Sequence, residues 1–304
     1  MTEVHRGVWP VVPTPFSDTG ALDLDGQRRV LDCMVDQGVD GLCILANYSE
    51  QFLLSDAERQ TLAELSLAHV AERLPVIVTC SHFSTEIAAQ RARQAAELGA
   101  AMIMLMPPYH GATLKATEAG TYEQFAQVSD AAGIPIMVQD APLSGVVLSV
   151  PFLVKLATEI EQVRYFKIET AMADKLRSLI AAGGAAIEGP FDGEEAITLM
   201  ADLNAGATGT MPSALLPDLI KPVVDQHSQG DIAETAGQYA RILPLINFEN
   251  RQCGLRACKT VMMEGGVIQS DHVRHPMPPL PPETRSQLLE LARPLDPIAL
   301  RWGR

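Results

Sequence analysis

The sequence predicts an α/β protein: a (β/α)8 TIM barrel over residues 1–212, carrying the chemistry, with a helical extension over 213–304 packed on it. Three observations predict this. An apolar run, a polar loop and an amphipathic run follow one another repeatedly from Val8 to Met211. The apolar runs are apolar on both faces, which calls for a parallel sheet covered by helices. Eight such units fit a closed barrel, whereas the open doubly wound alternative lacks a glycine-rich phosphate loop after its first strand.

In order, Val8–Val12 reads as the first strand and ends at Pro13-Thr14-Pro15-Phe16. Leu24–Gln37 has helical spacing through Val30, Leu31, Met34 and Val35 and stops at Gly38. Gly41–Leu45 is a buried strand, followed by the loop Ala46–Glu50, and Ser55-Asp56-Ala57-Glu58 opens a helix with a capping box. Pro75–Cys80 and Met102–Met106 are strands, with a helix over Ser84–Leu98 between them. A helix over Thr117–Ala132 ends at Gly133 and leads to a fifth strand, Pro135–Asp140. Helix Val150–Ile160 precedes a sixth strand at Val163–Thr170, and Asp174–Ala182 is helical again. Ala185–Gly189 is taken as the seventh strand, Glu194–Leu203 as its helix and Gly206–Met211 as the eighth strand. The extension offers helices at Leu215–Val224, Ile232–Ile246, Arg256–Met263 and Arg285–Arg293, with an extended Pro-rich span at His275–Pro282.

Composition narrows the function classes. The net charge of -14 argues against a nucleic-acid surface, which needs clustered Lys and Arg. No apolar run is long enough to span a bilayer, and Met1–Arg6 shows no signal region, so a cytoplasmic protein is expected. The five cysteines include no C-x-x-C pair and read as reduced thiols. No His-x-Glu-x-His or Cys/His cluster has metal-ligand spacing, and His82, His110 and His227 stand apart.

Barrel enzymes place their chemistry at the C-terminal ends of the strands. Here those ends carry Asn47, Tyr48, Ser49 and Glu50 after strand two, Tyr109 and His110 after strand four, and Gln139 and Asp140 at strand five. Lys167 and Glu169 follow at strand six, Asp192 and Gly193 after strand seven, and Thr208 at strand eight. Each has a structural alternative: turns for Asn and Ser, a core ring for Tyr109, a helix cap for Asp140. Alternation in a strand puts Lys167 and Glu169 on one face and Phe166 and Ile168 on the other. A desolvated lysine there is a neutral nucleophile; a solvated one merely pairs with its glutamate.

From Gly7-Val8-Trp9-Pro10-Val11-Val12-Pro13-Thr14-Pro15-Phe16 to the helical tail, the chain resembles the class I, Schiff-base-forming lyase family of dihydrodipicolinate synthase and N-acetylneuraminate lyase. The resemblance makes Lys167 the imine former. That family's carboxylate-binding Gly-Thr/Ser-Thr-Gly-Glu turn matches Ala46-Asn47-Tyr48-Ser49-Glu50, which retains only the glutamate. Its Lys-Glu strand matches Lys167-Ile168-Glu169, with Ile between the two. Its proton-relaying tyrosine of strand five aligns with Gln139, and its Pro-Tyr-Tyr segment with Pro108-Tyr109-His110. A glutamine cannot donate and recover a proton as a phenol does. The resemblance with these departures implies an imine-dependent dehydratase of a 2-keto-3-deoxy sugar acid, yielding 2-ketoglutarate semialdehyde from a five-carbon substrate.

On that reading Lys167 and Glu169 are catalytic, Asn47, Tyr48 and Ser49 hold the C1 carboxylate, and Tyr109, His110, Gln139 and Gly193 contact the distal hydroxyls. Whether Glu169 is acid, base or both stays open. No cofactor and no metal are implied, because the imine is the electron sink. The implied partners are a small 2-keto acid and further copies of the chain, in a homotetramer built as a dimer of dimers, with no nucleic acid and no membrane. Two other readings remain: an aldolase of 2-keto-3-deoxy sugar acids, which shares the lysine, and an idle barrel that binds a sugar acid.

Overall fold

A computed structural model describes residues 4–109, 116–169 and 173–304. Within them strands and helices alternate as β1 (Gly7–Val8), α1 (Leu24–Asp36), β2 (Leu42–Ile44), α2 (Asp56–Val70), β3 (Val76–Thr79), α3 (Thr85–Glu97), β4 (Met102–Leu105) and α4 (Glu118–Ala132). They continue as β5 (Ile136–Asp140), α5 (Val150–Glu159), β6 (Val163–Ile168), α6 (Ala173–Gly183), β7 (Gly189–Asp192), α7 (Leu199–Ala205) and β8 (Gly209–Thr210). Four helices close the chain: α8 (Pro217–Ser228), α9 (Ile232–Phe248), α10 (Arg256–Glu264) and α11 (Pro282–Ala292). Local chemistry sets several boundaries. Ser55 Oγ accepts from Glu58 N at 3.3 Å while Glu58 Oε2 accepts from Ser55 N at 2.9 Å, the expected capping box of α2. Thr117 caps α4 through the Gly120 N–H, and Gly133 ends it at φ 62°.

Three elements differ from the sequence expectation. The first strand is cut to Gly7–Val8 because Pro10 and Pro13 supply no ladder donors; only Val11 makes a further bridge. The seventh strand is Gly189–Asp192 rather than Ala185–Gly189, whose alanines lie in the short 3₁₀ turn Gly184–Ala186. Pro190 argues against a central strand, yet it is tolerated. Its carbonyl accepts from Thr208 N at 2.8 Å, so its missing N–H lies on that same side, where β8 pairing begins only at Gly209. Helix α7 starts at Leu199, not Glu194, because Glu195 and Ala196 are left-handed at φ 53° and 65°.

The chain forms two compact units. One comprises Met1–Arg6, Pro75–Glu194 and Thr198–Met211; the other comprises Gly7–Leu74, Glu195–Ile197 and Pro212–Arg304. In the first, β3 to β8 pair in sequence order and all parallel. Its strands are buried throughout apart from Arg164, and the helices press small or branched side chains inward: Ala88, Ala92 and Ala95 from α3, Leu153 and Leu156 from α5. The second unit holds β1, β2, α1, α2 and α8–α11. There Val11 bridges both Cys43 and Ser213 in parallel, and Trp9, Phe16, Leu31 and Met34 are fully buried. All five cysteines are buried free thiols. Among the described residues no helix is long and apolar enough to cross a membrane.

Glu249 opens a π-helical turn, Glu249–Cys253, after α9 and is 1% exposed. Burial, partly offset by a hydrogen bond with Ser213, pushes its carboxyl up to about 8. The folded carboxyl thus keeps a proton the unfolded chain has lost, so this group's stabilising effect fades as pH rises from 4.5 to about 8. Glu249→Gln should therefore gain melting temperature over the wild type progressively across that range. Parallel melting profiles from pH 5 to 8.5 would refute it.

Candidate active site

The site is built from β6 outward. Lys167 and Glu169 project to the same side of the strand, and Lys167 Nζ donates to Glu169 Oε1 at 2.7 Å, with the lysine side chain 3% and the glutamate 15% exposed. The neighbouring strand β5 puts Gln139 in register with Lys167, fully buried, and its Nε2 donates to the same Glu169 oxygen at 2.6 Å. The other end of that amide, Oε1, accepts nothing from the described residues. On the far side of β6, Phe191 of β7 is in register with Lys167. Gly193 follows it, and a Cβ there would stand 2.8 Å from Cγ of both Lys167 and Glu169. Only a glycine lets this backbone rest against the stems of both side chains.

The next register row, on the opposite face, carries three polar groups around an apolar one: Asp140 of β5, Asp192 of β7 and Thr210 of β8, with Ile168 of β6 between. Asp140 is ion-paired with Lys175 of α6. Burial raises its carboxyl above the ordinary range, and the Lys175 ammonium offsets this in part. Asp140 is thus a tie between strand and helix, in place of the helix cap considered from sequence.

In the second unit, Asn47–Ser49 forms a 3₁₀ turn after β2. Ser49 Oγ donates to Val12 O at 2.6 Å, Thr14 Oγ1 donates to Ser49 O at 2.8 Å, and Asn47 Oδ1 accepts from Gln51 Nε2 at 2.6 Å. The Ser49 hydroxyl proton therefore shapes the turn. Glu50 ends it in the left-handed region at φ 57°, and its carboxylate is ion-paired with Lys259 of α10 while accepting from Arg274 N at 3.0 Å. Lys259 is 0% exposed, donates also to His272 O at 2.9 Å, and lies 4.3 Å above the Phe16 ring. Burial lowers its pKa despite the Glu50 charge. Lys259 and Arg274 were invisible as site-shaping residues in sequence, being more than 200 positions from Glu50, one on a segment read as a packing helix and one just before the Pro-rich span.

Of the expected residues, Lys167, Glu169, Gln139 and Gly193 thus meet within one unit, Tyr109 lies half-buried beyond β4 in that unit, and Asn47, Tyr48 and Ser49 share the turn of the other. His110 lies outside the described residues. Among the described residues no group of three or more His, Cys, Asp or Glu is arranged to hold a metal ion.

The sequence model of the Dihydrodipicolinate synthetase family matches residues 4–294. The chain belongs to that family. It is 59% identical over 303 residues to L-2-keto-3-deoxyarabonate dehydratase of Azospirillum brasilense, covering 99% of this chain and 98% of that one. It is 32% identical to 4-hydroxy-tetrahydrodipicolinate synthase 2 of Streptomyces coelicolor, over 90% of each chain. Among solved structures, a putative dihydrodipicolinate synthetase from Pseudomonas aeruginosa superposes with a TM-score of 0.90 at 27% identity, covering 97% of this chain and 99% of that one. The fold class of this family member is the (β/α)8 barrel with a helical C-terminal part, as the sequence predicts.

Gly193→Ala should leave the fold intact but displace Lys167 and Glu169. With pyruvate and borohydride, labelling of Lys167 should slow by up to roughly 10²-fold, the scale on which a misplacement near 1 Å acts. An unchanged labelling rate would show that the seat is not needed.

Proposed function

We propose that this protein is a hydro-lyase that dehydrates a 2-keto-3-deoxy sugar acid through an imine on Lys167, with L-2-keto-3-deoxyarabonate as substrate and 2-ketoglutarate semialdehyde as product. The observation that carries the reading is the buried Lys167–Glu169 pair with Gln139, not a phenol, as its third member. It is supported by full-length likeness to a dehydratase at 59% identity. Glu169 accepts a proton from the Lys167 ammonium across 2.7 Å, leaving a neutral amine to attack the C2 carbonyl. The carbinolamine hydroxyl leaves as water with the proton that Glu169 returns, which gives the protonated imine and leaves Glu169 a carboxylate again. A C3 proton then passes to Glu169, the C–H pair forms the enamine, and the enamine expels the C4 hydroxyl, which leaves as water with the proton returned by Glu169. Hydrolysis frees Lys167, and the C3=C4 bond shifts through an enol to the C5 aldehyde.

Gln139 holds Glu169 in place and offers its unfilled Oε1 to a substrate hydroxyl. By the family resemblance Asn47, Tyr48 and Ser49 are assigned to the C1 carboxylate, with Ser49 acting through its backbone, and Tyr109, His110 and Gly193 to the distal end. The aldolase reading needs a group that cycles a proton at the Gln139 position, and an amide does not. The resemblance also assigns a cytoplasmic homotetramer serving arabinose catabolism. One structurally similar protein is a monomeric dihydrodipicolinate synthase variant, so assembly is a separate measurement: sedimentation at working concentration should give a tetramer, and a monomer alone would remove this assignment.

Borohydride with pyruvate should fix the ligand to the Lys167 peptide, and Lys167→Ala should abolish both labelling and turnover; label on another lysine would sink the mechanism. Glu169→Gln should still be labelled at Lys167, though more slowly because the ammonium loses its proton acceptor, while turnover falls by roughly 10²–10⁴-fold, the usual cost of losing a general acid or base. Turnover that survives Glu169→Gln makes the carboxylate a structural partner only.

A further inference from the structure

Directly behind the lysine face lies a pair of buried acids that the mechanism does not use. Asp192, the last residue of β7, is 1% exposed, and its Oδ2 accepts from Thr210 Oγ1 of β8 at 2.5 Å. Its Oδ1 takes no side-chain donor among the described residues, and its carboxyl is hydrogen-bonded with the Asp202 carboxyl of α7. Asp202 Oδ2 accepts in turn from Thr198 Oγ1 at 2.6 Å, at the start of α7. Two carboxyls in contact cannot both be ionised without strong repulsion, so the arrangement holds together only while one proton remains between them.

The pair lies one residue from the chemistry. Register places Asp192 beside Ile168, while Phe191 before it and Gly193 after it face the side of Lys167. Gly193 N also donates to Ile168 O at 3.1 Å, so the backbone that leaves β7 is held between the acid pair behind and the Lys167 and Glu169 stems in front.

We propose that Asp192 and Asp202 are positioning residues for the reaction at Lys167: their shared proton ties the end of β7 to α7 and so keeps Gly193 seated on Lys167 and Glu169. The role deepens the imine reading above and rests on it. Among the described residues, the polar or charged groups that bear most on Asp192 are Asp202 from α7, Thr210 from β8 and the Glu194 backbone N–H; β6 presents the apolar Ile168. With no cation among these, burial dominates and pushes Asp192 above the ordinary carboxylate range, and Asp202 moves in the same direction for the same cause. A folded-state pKa raised in this way gives a stabilising effect that is complete at acid pH and is lost as pH rises from 3.8 to about 7. Loss of the proton then loosens Gly193 and lowers the reactivity of Lys167 on the alkaline side.

The test compares wild type, Asp202→Asn and Asp202→Ala by the rate of borohydride labelling of Lys167 with pyruvate, and by kcat and KM, from pH 5.5 to 9. In Asp202→Asn the amide donates to Asp192 without needing a proton, so the alkaline fall in labelling and in kcat should move to higher pH or vanish, with KM little changed. Asp202→Ala has no clamp at any pH and should label slowly throughout, by up to roughly 10²-fold. Should Asp202→Ala fail to fold, Thr198→Val removes the hydroxyl that stabilises the Asp202 carboxylate, so the pair should keep its proton longer and the alkaline fall should shift to higher pH. If the Asp202→Asn profile superposes on that of the wild type, the positioning role is overturned and the pair is structural. Wild type that takes no label at Lys167 overturns the imine reading and this role together, whereas labelling with superposed profiles overturns this role alone.

Discussion

The structure depends on how a charged amine is kept inside a parallel sheet. Taking an ammonium and a carboxylate out of water costs several kcal/mol per ion, by order of magnitude, and contact between them offsets this only when geometry and further hydrogen bonds are good. Lys167 and Glu169 meet that condition because they are two residues apart on a strand, so the backbone itself sets their spacing. Gln139 completes it from the adjacent strand with a neutral donor, which adds no charge to the site. The pair is therefore able to pass a proton across a fixed distance, which a lysine reaching for bulk water is not.

The two faces of the sheet divide the labour. In front, the row Gln139, Lys167 and Phe191 presents one amide, one amine and one ring. Behind, in the row Asp140, Ile168, Asp192 and Thr210, the two aspartates fasten their strand ends to α6 and α7, and Thr210 bonds to Asp192. Both strands that flank the lysine strand end in a buried aspartate, one tied to α6 by the Lys175 charge and one to α7 by a shared proton. Precision at the front thus comes from polar ties at the back, where apolar packing alone leaves a strand end free to slide.

The second unit solves the same problem at the turn after β2. Glu50 is the glutamate that survives from the family's carboxylate-binding turn, and it is buried against Lys259, with Arg274 N on its other oxygen. Arg274 reaches on to Glu58, Gly20 O and Leu53 O, and its guanidinium lies 4.3 Å over Phe16, as Lys259 does. Glu50 belongs to the scaffold of the turn. This accounts for its retention where the neighbouring Gly, Thr/Ser, Thr and Gly positions of the family pattern have become Ala46, Asn47, Tyr48 and Ser49.

The sequence by itself determined the alternation of strands and helices, the capped ends of α2 and α4, and the pairing of Lys167 with Glu169. All of these are local: hydrophobic period, cap chemistry and strand alternation act over a few residues. It misplaced β7 and the start of α7, because Pro190 is acceptable only where the facing strand has not begun, and a left-handed pair such as Glu195 and Ala196 leaves no composition signal. Only the tertiary structure decided that Gln139 bonds to Glu169, that Gly193 must lack a Cβ, that Asp192 meets Asp202, and that Lys259 neutralises Glu50. Each of these joins residues on different elements, and burial, which sets their charge states, is a property of the assembled chain.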